Sequence, residues 1–160
     1  MTIQLARLED AADLARLHAA SFEEGWSEAD FRTWLVRVEG FAAIARREIP
    51  NREREAVALG LALSAGDDAE LLTIAVMETN RRAGLGRQVL EALDAEARRR
   101  GLKRWVLEVS RNNLAACRLY KSAGFVEIGV RTAYYRMQEG RADALVLSRP
   151  VGGVSGHRGG

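Results

Sequence analysis

Three features of the sequence predict a mixed α/β domain with helices on both faces of one sheet. The first is a strand–loop–helix unit. Leu71-Leu72-Thr73-Ile74-Ala75-Val76 is a short apolar run rich in branched residues, as a buried strand requires. A glycine-bearing loop follows, and then Leu85, Val89, Leu93 and Ala97 recur at i, i+4, i+8 and i+12, which marks one face of an amphipathic helix. The second feature is another strand followed by a helix, at 104–109 and 113–122. The third is the set of short apolar runs on either side of these units, separated by turn residues, with no internal repeat and no domain boundary.

In chain order the pattern predicts a strand at about 2–7, a helix at 9–20 and a second helix at 28–37. Ser27 and Asp30 stand three apart at the start of that second helix, an imperfect capping box. Strands follow near 40–47, 55–64 and 69–77, with Asp67-Asp68 as the turn between the last two. The helix at 85–99 is supported at i, i+4 by Asp94 with Arg98 and Glu96 with Arg100, and Gly101 ends it. Arg98-Arg99-Arg100 reads as a solvated cationic cap favoured by the helix dipole. Asn112 or Asn113 caps the helix at 113–122, and Gly124 suits the left-handed residue that closes it. The last strands lie near 125–136 and 142–148. Residues 1–150 are expected to form a single domain, and 151–160 a flexible tail too rich in glycine to fold.

Composition excludes several classes. The longest uncharged run, Ala56 to Gly66, fits a strand and falls far short of the roughly 20 residues of a membrane span. The first residues lack the basic-then-apolar layout of a secretory signal. A single cysteine, Cys117, leaves no internal disulfide and suits a reducing compartment, so a cytoplasmic location is expected. The net charge of +2 is too small to argue for a nucleic-acid partner, and a monomer or weak dimer is the expectation. Neither His18, on a helix face, nor His157, in the tail, has a metal-ligand companion at helical spacing, so no metal is expected.

The chemistry concentrates in two segments. Arg81-Arg82-Ala83-Gly84-Leu85-Gly86-Arg87 joins a strand to a helix, where glycines permit close backbone approach and N–H groups point at an anion. The segment lacks the Gly-Lys-Ser/Thr of a P-loop and the third glycine of a dinucleotide fingerprint. In Asn113-Leu114-Ala115-Ala116-Cys117-Arg118-Leu119-Tyr120-Lys121-Ser122-Ala123-Gly124-Phe125, residues 113, 116, 117 and 120 share one helix face, an amide and a phenol with small residues between. That face would suit a narrow pantetheine-like arm, or equally a half-buried tyrosine whose hydroxyl reaches water.

Arg-x-x-Gly-x-Gly at 81–86 and the 113–125 segment resemble the two signatures of the GNAT superfamily of N-acetyltransferases. Further segments, Leu72 to Val76, Leu107-Glu108-Val109, Tyr134-Tyr135 and Gly140 to Ala144, resemble the bacterial ribosomal-protein-alanine N-acetyltransferases. Before residue 71 the likeness thins to Phe22, Trp26-Ser27-Glu28 and Phe31. The resemblance implies a twisted, mostly antiparallel sheet of about seven strands and acetyl-CoA as co-substrate. Arg81 through Arg87 would hold its pyrophosphate. Backbone groups of Ile74, Ala75 and Val76 would meet the pantetheine and polarise the thioester, and Asn113 would meet the pantetheine or its sulfur end. Glu108 would be the general base and Tyr120 the general acid. Trp26, Tyr134 and Tyr135 would border the groove for a protein N-terminus, by implication that of a ribosomal protein. Since Tyr134 and Tyr135 are adjacent in a strand, at most one lines the groove directly.

Residue-level alternatives stand beside these roles. Glu108 sits in a strand that its position between helices predicts to be covered on both faces, where a carboxylate is costly; the bland reading is a solvent-facing or arginine-paired side chain. Trp26 serves equally as a core aromatic, and Cys117 reads better as a core thiol than as an acyl carrier. The chain departs from the family in Met77-Glu78-Thr79, where an acidic residue and proline usually follow the strand, and in the charged stretch from Arg46 to Glu55. Rival readings are a GNAT acting on a small amine or on lysine, and an acetyl-CoA-binding regulatory module without turnover.

Overall fold

The computed structural model describes residues 1–81, 83–137 and 140–153, with the side chains of 133–142 left aside. Seven strands form one sheet in the order β1-β2-β3-β4-β5-β7-β6. The strands are β1 (Thr2–Leu5), β2 (Gly40–Arg47), β3 (Glu55–Ala65), β4 (Asp68–Val76), β5 (Arg104–Ser110), β6 (Val126–Met137) and β7 (Gly140–Pro150). The helices are α1 (Ala11–Ser21), α2 (Glu28–Val36), α3 (Leu85–Arg99) and α4 (Leu114–Ser122). Every neighbouring pair is antiparallel except β4 with β5, which α3 connects by a crossover. The predicted element order and the mostly antiparallel sheet agree with this.

Two apolar layers hold the sheet between the helices. On one face α1 and α2 press Ala11, Leu14, Leu17 and Phe31 onto Ile44, Leu59, Leu61 and Ala75. On the other, α3 buries its predicted stripe of Leu85, Val89, Leu93 and Ala97 against β2, β3 and β5. Each such aliphatic side chain stabilises the fold by roughly 1.5–3 kcal/mol. Gly60 of β3 lets α3 lie this close, since a Cβ there would stand 2.8 Å from both Leu93 Cδ1 and Val89 Cγ1. The helix termini follow the predicted signals. Ser27 Oγ accepts from the Asp30 amide while Asp30 accepts from Ser27, and the expected stops Gly101 and Gly124 adopt φ of +76° and +92°.

Four local expectations are corrected. The β3–β4 turn is Gly66-Asp67, one residue earlier than Asp67-Asp68, because Asp68 already pairs with Ala65. Arg100 is not a solvated cap: it lies over the Phe41 ring at 4.4 Å and donates to the Val38 carbonyl at 2.8 Å. Asp94 does not pair with Arg98. It turns into the core, accepting from Trp105 Nε1 at 2.8 Å and the Gly152 amide at 2.9 Å, and meets Arg149 Nη2 at 2.9 Å. The glycine-rich segment is therefore anchored at its start, while residues 154–160 lie outside the described part. Finally, His18 is no ordinary helix-face residue but is 3% exposed.

The Asp94 cluster joins α3, β5, β7 and the segment after β7, and Arg149 carries it on to the Ala123 carbonyl at 2.8 Å. Trp105 and Arg149 are buried, so removing the carboxylate leaves a desolvated guanidinium without its counter-charge. Asp94→Ala is expected to cost about 3–5 kcal/mol, read from the urea-unfolding midpoint, and Asp94→Asn less, because it keeps an acceptor for Trp105. Glu96 gives a pH-dependent counterpart. Hydrogen bonds from Arg99, against the opposing effect of burial and with help from Arg100, hold its carboxyl down at about 2. A depressed folded-state value stabilises above the ordinary 4.5 and is lost as pH falls from there through about 2. Wild-type stability should fall across that window, and Glu96→Gln should flatten the fall in urea titrations at pH 6 and pH 3.

Candidate active site

β4 and β5 pair over only three residues, Asp68 with Arg104, Ala69 with Trp105 and Glu70 with Val106. Beyond Glu70 the two strands diverge. β4 continues on β3, with Ile74 opposite Gly60 and Ala75 opposite Leu59, while β5 continues on β7 as far as Ser110 with Ala144. The sheet is therefore open between Leu71–Val76 and Leu107–Ser110, and the edges of Ile74, Ala75 and Val76 that turn from β3 face that opening. Val76 also accepts from Arg81 Nε through its carbonyl at 3.2 Å, so Arg81 folds back along the strand.

The start of α3 stands beside the opening. Gly84 caps it with φ +78°, a left-handed conformation that a Cβ disfavours. The first intrahelical bond runs from the Gln88 amide to the Gly84 carbonyl, so the amides of Leu85, Gly86 and Arg87 have no acceptor within the helix. At Gly86 an added Cβ would meet Leu119 Cδ2 of α4 at 3.1 Å, so glycine here sets how closely the two helices approach. Ala83 and Gly84 are exposed and Arg87 half-buried; Arg82 lies outside the described residues.

The candidate base and acid stand on opposite faces of β5. Trp105, Leu107 and Val109 are buried on the α3 side, so the alternate residues Val106, Glu108 and Ser110 point to the face that α1 and α2 occupy. The helices do not bury them, and the expectation that β5 is covered on both faces fails. The Glu108 side chain is 32% exposed and meets Arg131 Nη1 of β6 at 3.3 Å. Tyr120 lies on the other face, 5% exposed, with its ring edge-on to Phe125 at 5.6 Å. Glu108 and Tyr120 thus lie on opposite sides of the sheet, Glu108 partly exposed and Tyr120 within the α3-side core.

α4 begins at Asn113, whose Oδ1 accepts from the Ala116 amide at 3.1 Å. Of the two asparagines weighed, Asn113 is the cap, and the cap uses the oxygen rather than the NH2 of that amide. Cys117 donates to the Ser110 carbonyl at 3.7 Å, tying α4 to the end of β5.

Trp26 belongs to the loop between α1 and α2. Its amide donates to His18 Nδ1 at 3.0 Å, its ring stacks on the imidazole at 5.0 Å, and His18 Nε2 meets Thr73 Oγ1 of β4 at 3.1 Å. An acceptor at Nδ1 requires the neutral ring, and burial pushes the His18 pKa down in the same sense. The half-buried indole packs on the α1–α2 core and also borders a surface pocket of about 410 Å³ with Asp30, Thr33 and Trp34. Tyr135 pairs with Ala142 at the far end of β6. The side chains of Tyr134 and Tyr135 lie outside the described residues. Among the described residues no group of three His, Cys, Asp or Glu could hold a metal ion, and no helix is long and apolar enough to cross a membrane.

Sequence reasoning missed Arg131 and the engagement of His18. Neither leaves a local signal, since each meets its partner across strands or helices distant in the chain.

Residues 11–125 match the acetyltransferase (GNAT) family. Among curated relatives, the [ribosomal protein bS18]-alanine N-acetyltransferase of Escherichia coli K12 is 44% identical over 85 residues, 53% of this chain and 57% of that protein. The matched stretch thus spans little more than half the length of that relative. Among solved structures, the ribosomal-protein-S18-alanine N-acetyltransferase from Escherichia coli superposes with a TM-score of 0.79 at 30% identity, covering 94% of this chain and 93% of that one. Arabidopsis thaliana NAA60 in complex with acetyl-CoA reaches a TM-score of 0.80 at 18% identity, covering 95% and 100%, and shares the fold alone.

Burial raises the Cys117 thiol above its ordinary value, with Arg111 pulling weakly the other way. A raised pKa leaves less thiolate at neutral pH and so slows thiolate chemistry. Cys117 should therefore react with an aromatic disulfide at neutral pH several-fold more slowly than free cysteine, followed by absorbance. The rate should rise to that of free cysteine in denaturant.

Proposed function

The chain belongs to the acetyltransferase (GNAT) family, and on that premise we propose that it transfers the acetyl group of acetyl-CoA to a protein N-terminal α-amine. The reading extends to the N-terminal alanine of a small-subunit ribosomal protein, the activity named for the Escherichia coli relatives. The observation that carries it is the opening between β4 and β5, with a carboxylate on one face and a phenol on the other.

The residues present fit acetyl-CoA. The free edge of Ile74, Ala75 and Val76 offers backbone partners to an amide-bearing arm, and the α3 amides at Leu85, Gly86 and Arg87 offer donors to a pyrophosphate. Arg81, Arg82 and Arg87 add positive charge, with Ala83 and Gly84 allowing close approach. Asn113 presents an amide at the start of α4. When bound, acetyl-CoA supplies an activated acetyl thioester.

Glu108 takes a proton from the amine, directly or through one water, as the nitrogen bonds to the carbonyl carbon. A β4 backbone N–H stabilises the charge that gathers on the carbonyl oxygen. As the carbon–sulfur bond breaks, the electron pair leaves on sulfur, and Tyr120 donates to it from the opposite face. A thiol with a pKa near 8.5 is acidic enough that a hydrogen bond from the phenol suffices. The α-amine is the easier nucleophile. With a pKa near 8, roughly a fifth is neutral at pH 7.4, against about one in a thousand for lysine, a difference of roughly 3 kcal/mol. Trp26 and one of Tyr134 and Tyr135 border the path of the peptide.

Free-CoA release should be seen with a lysine-free peptide that begins with alanine, and not with an N-terminally blocked peptide bearing one lysine. Release only with the blocked peptide would overturn the α-amine reading. Glu108→Gln should lower kcat on the alanine peptide by about 10²-fold or more while acetyl-CoA binding, measured calorimetrically, stays unchanged.

A further inference from the structure

Acetyl transfer as described does not require Arg131, yet its guanidinium stands against the proposed base, with Nη1 3.3 Å from Glu108 Oε1. The strand register brings the two together. Glu108 pairs with Val146 and Val146 with Gly129; one step along, Ser110 pairs with Ala144 and Ala144 with Arg131. Arg131 therefore projects from the same face as Glu108, two strands away, and its long side chain reaches back across β7. The side chains are 52% and 32% exposed, so the pair faces the solvent through which an amine arrives. Close by, Arg111 Nε meets Asp143 Oδ2 at 3.6 Å. Each of these two carboxylates is matched by an arginine.

We propose that Arg131 is a specificity-determining residue of the amine site, one that selects a singly basic α-amine over amines carrying more, or more persistent, positive charge. The inference rests on Glu108 being the proton acceptor. A lone carboxylate attracts any ammonium, and attracts a polyamine more strongly than a singly charged amine. With a guanidinium beside it, an incoming cation meets a neutral pair whose positive end repels it. Arginine stays charged at every working pH, so the discrimination does not fade. An α-ammonium sheds its proton near pH 8 and escapes this repulsion, whereas a lysine or polyamine nitrogen near 10.4 keeps its charge. At a few ångströms in a solvated groove, one unit charge changes occupancy by about tenfold. Selection here is by charge rather than by shape.

The test compares kcat/KM for spermidine with that for the alanine-starting peptide in the wild-type protein, Arg131→Met, Arg131→Lys and Glu108→Gln. Arg131→Met should raise the spermidine-to-peptide ratio about tenfold or more, with an unchanged thermal midpoint showing that the fold is intact. Arg131→Lys keeps the charge and should hold the ratio within about threefold of wild type. An unchanged ratio in Arg131→Met, or an equal loss on both amines, overturns the role of Arg131; if Glu108→Gln still abolishes peptide acetylation, the base reading survives. Full peptide activity in Glu108→Gln overturns both, whereas a wild-type preference for spermidine overturns the role of Arg131 alone.

Discussion

The parallel pairing of β4 with β5 ends after three residue pairs, and the rest of the candidate site depends on that early end. Two strands in register would satisfy each other's backbone and close the sheet. Here β4 is held to β3 up to Val76 and β5 to β7 up to Ser110, so each keeps its antiparallel partner while the two diverge. The opening leaves one edge of Ile74–Val76 for a ligand and makes both faces of the sheet reachable at one point. Glu108 on the α1–α2 face and Tyr120 on the α3–α4 face are the base and acid of the proposed reaction, one from each side of the sheet.

Ion pairs fix the elements that flank the opening. Asp94, Arg149, Trp105 and Gly152 bind α3, β5, β7 and the segment after β7 into one buried cluster, away from the groove. Glu96 with Arg99 and Arg100 ties the far end of α3 to the β2–β3 side. Buried pairs of this kind hold geometry more than they add net stability, because desolvation offsets much of their attraction. At the groove the arrangement differs. Glu108 with Arg131 and Asp143 with Arg111 are partly exposed pairs, which stabilise only weakly.

Much of this was legible in the sequence. The stripe Leu85, Val89, Leu93, Ala97 gave α3 its buried face because helical periodicity is a local property. The Ser27 cap, the α4 cap and the left-handed glycines were legible for the same reason. What failed were partners. Asp94 and Arg98 stand at ideal spacing, yet Asp94 prefers the Trp105 indole and a buried Arg149, since a desolvated hydrogen-bonded pair outweighs a solvated one. Glu108 in an apolar strand read as doubly covered, but α1 and α2 lie over β2, β3 and β4 and leave β5 open on that face.

The sequence by itself determined the elements, their order, the family resemblance and the candidate residues for anion binding and acetyl transfer, because each rests on contacts within a turn or two of chain. Only the tertiary structure decided where β4 leaves β5, that Glu108 and Tyr120 lie on opposite sides of the sheet, and that Arg131 stands against Glu108. Those facts depend on strand register and sheet order. Register is set by packing summed over the whole sheet, and a shift of one residue would turn Glu108 or Arg131 to the other face.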